Sequence, residues 1–305
     1  ESGRAIASHF SVLVFNVLGS GGLQQPAPPL EQDEPLIVRN LRETFQGIEG
    51  LPTDSPADPS RLQEAWNDAL KFKEDALAAF RLGYLSLKER SMAEQLTWAC
   101  ARALLNRLSD EAKLPDDLKT LSAVLAETYY ANLSIFRSAP DTWAIQQLFP
   151  LMPLHRLNEQ PTRLGHFADL TCDSDGKLNR FIDDGNNKPL LELHPLKPNE
   201  PYLIGMFLGG AYQEVMGNLH NLFGSTDAAH IRLAPGGDYQ VDHVVRGDTN
   251  ADVLEMMEHD PDQLLERLRM ASEKAISSGQ LRISEARRLM EHLQSSLHQS
   301  TYLQS

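Results

Sequence analysis

Apolar residues recur at helical spacing over residues 61–108: Leu62, Trp66 and Leu70, then Leu77, Phe80 and Leu85, then Leu96, Trp98, Ala99, Leu104, Leu105 and Leu108. That period gathers them on one face of each successive helix and predicts a helical hairpin or small bundle with solvated charged faces. Ser60 stands where an N-cap would open the first helix, and residues 118–128 continue as a further helix. From Tyr129 the pattern shortens. Extended runs at 165–170, 177–182 and 202–208, punctuated by Pro and Gly, predict the strands of an antiparallel β domain. Gly236-Gly237-Asp238 reads as a turn before one more strand. Helical spacing returns at 252–257 and 261–277, Gly279 marks a stop, and 283–297 form a last amphipathic helix. Near the start, residues 5–18 are apolar and then β-branched, so helix and strand compete. A Pro- and Gln-rich connection, read as exposed, follows at 23–35.

Composition narrows the classes. The chain has 305 residues, 41% hydrophobic and 23% charged, enough for one large or two smaller cores. A net charge of -14 opposes a nucleic-acid partner, which needs clustered Lys and Arg, and favours a small cationic substrate. No apolar run approaches the ~20 residues of a bilayer span; the best, 10–18, is broken by Ser11 and Asn16. Cys100 and Cys172 make no disulfide framework and suit a reducing cytosol. The chain opens at Glu1 without Met or leader and enters what reads as the middle of a fold, the mark of a fragment or processed chain.

Three short segments could carry chemistry. Thr171-Cys172-Asp173-Ser174-Asp175-Gly176 fails as a calcium loop, because the first and twelfth positions hold Thr171 and Ile182 instead of Asp and Glu. It fails as a zinc site for want of a second Cys or His at ligand spacing. What remains is a thiol in an acidic turn, better suited to donating a proton than to nucleophilic attack; a small structural Cys beside a solvated turn explains it too. Gly209-Gly210-Ala211-Tyr212 allows close backbone approach to a ligand and offers a hydroxyl, though such a run also ends strands. Glu1-Ser2-Gly3-Arg4 could serve an anion or form a surface turn. The ten histidines gain no ligand role from spacing, and His155 and His220 read as structural.

In this order, Glu1-Ser2-Gly3-Arg4, Cys172-Asp173 and Gly210-Ala211-Tyr212 resemble the fold-type-III decarboxylases of basic amino acids, the ornithine and diaminopimelate decarboxylase relatives. Further stretches resemble the biosynthetic arginine decarboxylases of bacteria and plants. They are Tyr129-Tyr130-Ala131-Asn132-Leu133-Ser134-Ile135-Phe136, Pro140-Asp141-Thr142-Trp143, Gln147-Leu148-Phe149-Pro150, Leu170 to Lys177, and Gly217-Asn218-Leu219-His220-Asn221-Leu222-Phe223-Gly224. Phe136 stands where the ornithine enzymes carry a Tyr.

The resemblance implies an α+β fold: the end of a pyridoxal-phosphate-binding (β/α)8 barrel and entry to the β domain at 1–30, a linker and helical-bundle insertion at 31–128, an antiparallel β-sandwich or barrel domain at 129–248, and a C-terminal helical extension at 249–305. It implies decarboxylation of L-arginine to agmatine and carbon dioxide, the first step of polyamine (putrescine and spermidine) biosynthesis, in a cytoplasmic enzyme using pyridoxal 5'-phosphate and magnesium. Glu1 would hold the proton on the cofactor's ring nitrogen, so that the ring accepts the electrons left at Cα. Gly3, Arg4 and Tyr212 would meet the phosphate, and Cys172 would return a proton to Cα. Asp173 is the first choice to grip the substrate guanidinium and Asp175 the second. Asp141 is the third, an N-cap for the helix begun by Trp143 explaining it nearly as well. The Cys172 loop would enter a partner subunit's site, requiring a homodimer or higher oligomer. The lysine that anchors the cofactor would belong to an N-terminal barrel portion, and no Lys here replaces it. Two alternatives stay open: a non-catalytic regulatory or dimerising fragment, and a decarboxylase of ornithine, lysine or diaminopimelate.

Overall fold

The computed structural model of the chain describes residues 2–23, 26–52, 58–108, 118, 121–184 and 186–304. The competition at the start resolves into two elements. Ser2–Ala7 forms a short helix (α1) and Val12–Gly21 a long strand (β1), joined by a 3-10 turn at Ser8–Phe10. Val12, Val14, Phe15 and Val17 favour the strand, and its alternation is visible: Phe15 and Val17 point into the core while Val12 and Val14 face outward, half exposed.

β1 lies within a mixed sheet built with Glu127–Ala131 (β2), Leu151–Pro153 (β3), Arg163–Ala168 (β4), Lys177–Leu178 (β5), Leu191–Leu193 (β8) and Leu203–Phe207 (β9). The order is β3-β9-β1-β2-β4-β5, with β8 also on β4. Phe181–Ile182 (β6) and Asn187–Lys188 (β7) pair separately. One pairing departs from the antiparallel expectation: β2 and β4 run parallel, with Glu127 opposite Gly165. The intervening stretch, which holds the short helices Ile135–Ser138 (α6) and Asp141–Ala144 (α7), is long enough for the crossover that parallel strands need. Phe15, Tyr129, Phe167, Phe181, Ile204 and Met206 fill this core, with Phe15 edge-on to Phe167 at 5.6 Å between centroids.

A second core belongs to the bundle of Leu36–Glu49 (α2), Pro59–Arg81 (α3) and Leu87–Leu105 (α4), around Leu41, Leu62, Leu96 and Leu104. Each such leucine contributes about 1.5–3 kcal/mol by leaving water. Four expectations need correction. The N-cap of α3 is Asp58, whose side chain accepts from the Ser60 amide with Pro59 at the first helical position; Ser60 lies inside the helix. Residues 36–49, in the region read partly as linker, form a full helix. Residues 118–128 are not helical to their end: Leu118 and Leu121–Val124 (α5) are, residues 119 and 120 lie outside the described residues, and Glu127 already begins β2, where Tyr129 and Ala131 bury into the sheet. Part of the 23–35 connection is pinned, because buried Arg42 pairs with buried Glu34 and donates to the Pro28 and Pro29 carbonyls at 2.9 and 3.1 Å.

Gln213–Met216 (α8) precedes an antiparallel hairpin of Ala228–Leu233 (β10) and Tyr239–Val245 (β11). The hairpin is exposed along nearly its whole length, and one of its faces, with Ala229, Ile231 and Leu233 across from Val244, Val241 and Tyr239, is wholly apolar. Asn250–Met256 (α9), Pro261–Ser277 (α10) and Ile283–Leu297 (α11) close the chain. Its tail returns to the sheet domain, where the Leu303 carbonyl accepts from the Asn132 side chain at 2.7 Å and the Tyr302 hydroxyl donates to the Gly224 carbonyl at 2.9 Å.

Candidate active site

Two of the sequence motifs meet at the start of the chain. The segment before α8 is tied to the turn after α1 by the Gly210 amide, which donates to the Ser8 carbonyl at 2.9 Å. This brings Tyr212 over Gly3 and Arg4. The Arg4 guanidinium lies 4.9 Å from the centroid of the Tyr212 ring, a cation–π distance. A Cβ on Gly3 would collide with the Tyr212 hydroxyl, so this position admits only glycine without displacing the tyrosine. Tyr212 itself holds a left-handed backbone, φ 72°, a conformation rare for aromatic residues and characteristic of constrained sites. Glu1 lies outside the described residues.

Arg4 is steered from its other side by Asp141, which accepts its NH2 group at 2.8 Å. Asp141 is buried; the same oxygen accepts the Gln213 amide at 2.7 Å, while the Asp141 backbone N–H donates to Gln213 Oε1 at 3.2 Å. The capping reading of Asp141 gives way to this pairing: α7 begins at Asp141 after Pro140, and no side chain caps it. Asp141 does hold a guanidinium, that of Arg4.

The Cys172 loop is organised by a residue the sequence reading passed over. Buried Asp169 accepts at Oδ1 from the Thr171 amide and hydroxyl, at 2.8 and 2.7 Å, and at Oδ2 from the Ile135 amide at 3.0 Å. An Asp two residues before a Thr is the sequence trace of such an Asx turn. Gly176 closes the loop against the same carboxylate, and a Cβ there would strike both Asp169 and Thr171. Cys172 thereby stands exposed, as does Asp175. Asp173 accepts the Asp175 amide at 2.9 Å, and its other oxygen lies 3.6 Å from His220 Nε2. The His220 ring packs on Phe136 at 4.3 Å between centroids. Asn221 reaches Cys172 directly: its Oδ1 accepts the Cys172 amide at 3.2 Å, and its Nδ2 lies 3.7 Å from the sulfur.

The two clusters are the two ends of one stretch. Tyr212 and Gln213 meet Gly3, Arg4 and Asp141; His220 and Asn221 meet Cys172 and Asp173. Between them, the Asn218 amide donates to the Phe136 carbonyl at 3.0 Å, and Arg137 donates to the Glu214 carbonyl at 3.0 Å. Gln213 and Asn221, like Asp169, were not singled out from sequence; Gln213 left no signal there.

A hydroxyl, an arginine and a glycine main chain around one point are the donor set of a phosphate site, so Gly3, Arg4 and Tyr212 fit a phosphorylated cofactor. Among the described residues no three His, Cys, Asp or Glu side chains lie together as a metal site would require, and no helix is long and apolar enough to cross a membrane.

Comparison with known proteins finds relatives along the whole chain. The domain described as "Arginine decarboxylase helical bundle domain" matches residues 31–122, and "Arginine decarboxylase C-terminal helical extension" matches 251–303. A biosynthetic arginine decarboxylase of Synechococcus sp. (strain RCC307) is 70% identical over 305 residues, covering 100% of this chain and 46% of that protein. Its namesake from Thermosynechococcus vestitus is 52% identical over 306 residues, covering 100% of this chain and 46% of its own length. The crystal structure of the biosynthetic arginine decarboxylase of Campylobacter jejuni aligns with a TM-score of 0.80 at 31% identity, covering 99% of this chain and 47% of that one. The chain thus spans about half the length of the relatives it matches, and it belongs to the biosynthetic arginine decarboxylase family as a C-terminal portion of its members.

Proposed function

We propose that the full-length protein decarboxylates L-arginine to agmatine and carbon dioxide, and that this chain supplies the proton donor, the substrate carboxylates and part of the phosphate site. The observation that carries this reading is the stretch 212–221, which joins Gly3, Arg4 and Tyr212 at one end to Cys172 and Asp173 at the other.

Pyridoxal 5'-phosphate, when bound, supplies the electron sink for the pair left at Cα. Tyr212, Arg4 and the Gly3 main chain would hold its phosphate, and Glu1 would keep a proton on its ring nitrogen. Asp141 and Gln213 hold Arg4 in place. Cys172 would deliver a proton to the substrate Cα after carbon dioxide leaves; if the cofactor's C4′ took the proton instead, hydrolysis by water would free the aminated cofactor. Asp173 grips the substrate guanidinium, with Asp175 beside it, each charge-assisted bond contributing about 1.5–3 kcal/mol. Asp141 remains the third candidate, and its engagement with Arg4 argues for a role in positioning.

The partner is the N-terminal barrel portion of the same protein, which supplies the cofactor-anchoring lysine; the outward Val12 and Val14 and the apolar face of the β10–β11 hairpin are surfaces it would cover. The assembly is a homodimer or higher oligomer in which the Cys172 loop serves the partner subunit's site. The domains are residues 1–30, 31–128, 129–248 and 249–305. The setting is cytoplasmic, in keeping with free Cys100 and Cys172, and agmatine feeds polyamine synthesis. Magnesium rests on the resemblance alone.

Co-expressing a Cys172→Ala subunit with one lacking the anchoring lysine tests the shared site. Each mixed dimer regains one complete site of two, so random pairing of equal amounts recovers roughly a quarter of wild-type activity if each site draws on two chains. No recovery contradicts the arrangement.

A further inference from the structure

We infer that Asn221 is a positioning residue for the Cys172 thiol. The inference rests on the proposed role of Cys172 as proton donor. Cys172 sits in an exposed loop, and nothing about the loop's own Asp169 and Gly176 contacts fixes where the sulfur points; those contacts hold Thr171 and the loop base.

Asn221 does fix it, by two contacts from one amide. The Cys172 backbone N–H can only donate, so the atom 3.2 Å from it must be the Asn221 oxygen. That assigns the amide orientation and leaves the Nδ2 hydrogens facing Sγ at 3.7 Å, within reach of a weak N–H···S bond. The amide therefore holds the backbone and the sulfur of the same residue.

Backbone geometry points the same way. Asn221 and Leu222 both adopt left-handed conformations, φ 54° and 63°. Non-glycine residues take up that region at a cost and retain it where the surroundings over-determine it, commonly at functional sites. Asn tolerates it best, being short and polar. This turn presents His220 to Asp173 and Asn221 to Cys172, so two consecutive residues match two consecutive residues of the loop.

The experiment uses the full-length enzyme with its cofactor and compares wild type, Asn221→Ala, Asn221→Gly, Cys172→Ala and the Cys172→Ala/Asn221→Ala double variant. Asn221→Gly keeps the left-handed backbone accessible and removes only the amide, so it covers the case in which Asn221→Ala fails to fold. The first readout is the ratio of agmatine formed to aminated cofactor released, with KM for arginine alongside. Expected are a shift towards aminated cofactor of about tenfold or more in both Asn221 variants, KM within about twofold of wild type, and a double variant no worse than Cys172→Ala alone, as residues acting through one contact are not additive. The second readout is hydrogen exchange in the peptide containing Cys172, which should speed up in Asn221→Gly because its amide loses its acceptor. An unchanged ratio in Asn221→Gly, with Cys172→Ala shifted, overturns the inference and leaves the proton-donor role standing. An unchanged ratio in Cys172→Ala overturns both.

Discussion

Replacing Asp169 with Ala should loosen the Cys172 loop by an amount the structure sets. The carboxylate is 8% exposed and accepts three hydrogen bonds. Ile135 is 1% exposed, so its amide cannot turn to water once Asp169 Oδ2 is gone, and a buried donor left unpaired costs about 1–3 kcal/mol. Thr171 is half-buried and rehydrates in part; its two lost bonds add roughly 1 kcal/mol together. The expected loss is therefore about 2–4 kcal/mol, and Asp169→Asn, which keeps one acceptor, should lose about half as much. Urea unfolding of the full-length protein, followed by a probe of the β domain, measures the stability. Product analysis measures whether the freed loop still places its thiol, and a shift towards aminated cofactor should accompany the loss. Stability within about 0.5 kcal/mol of wild type, the range of an ordinary surface substitution, with an unchanged product ratio would refute the reasoning.

Other consequences follow from single contacts. Gly3→Ala improves helix propensity by about 0.5–1 kcal/mol, yet its Cβ meets the Tyr212 hydroxyl; titration of the full-length apoenzyme should show cofactor affinity falling about tenfold, or ~1.4 kcal/mol, and unchanged affinity would contradict the contact. Arg42, through its hydrogen bonds, holds the Glu34 carboxyl below its usual value of 4.5. The stabilisation is present above that value and lost as pH falls through the lowered one. Acid titration by circular dichroism should therefore show bundle helicity declining below about pH 4.5, and Glu34→Gln should flatten that decline. Burial pushes the Cys100 thiol up to about 12, which leaves roughly 10⁻⁴ of it as thiolate at pH 8. Iodoacetamide at that pH should label Cys172 in the native protein and reach Cys100 only after denaturation; equal native rates would show that the bundle core is open.

Periodic elements were legible in the sequence because burial writes itself into spacing. The Pro261–Ser277 and Ile283–Leu297 helices have the bounds the pattern predicts, and the β10–β11 turn sits at its glycines. The misreadings have physical causes. Residues 118–128 carry helix formers, but Tyr129 and its neighbours gain more as the strand between β1 and β4, a tertiary preference that local propensity does not record. Asp58 outcompeted Ser60 as cap because Pro59 is pre-set for the first helical position. In the site, Gly3, Arg4 and Tyr212 could be read as motifs, and the structure brings them together. Gln213 and Asn221 act through contacts 72 and 49 residues distant in sequence, which spacing along one chain cannot reveal; Asp169 leaves a trace in Thr171 two residues on, but its bond to Ile135 spans 34 residues. Asp141 is singled out by the family resemblance of its segment, but its partner Arg4 lies 137 residues away.

The most direct test of the central claim is a decarboxylation assay of the full-length protein, loaded with pyridoxal 5'-phosphate, against arginine, ornithine, lysine and diaminopimelate at equal concentration. The account predicts agmatine from arginine as the dominant product and a marked loss of it in Asp173→Ala, whose carboxylate would meet the guanidinium. Preference for ornithine, or absence of carbon dioxide release from any of the four, would contradict it.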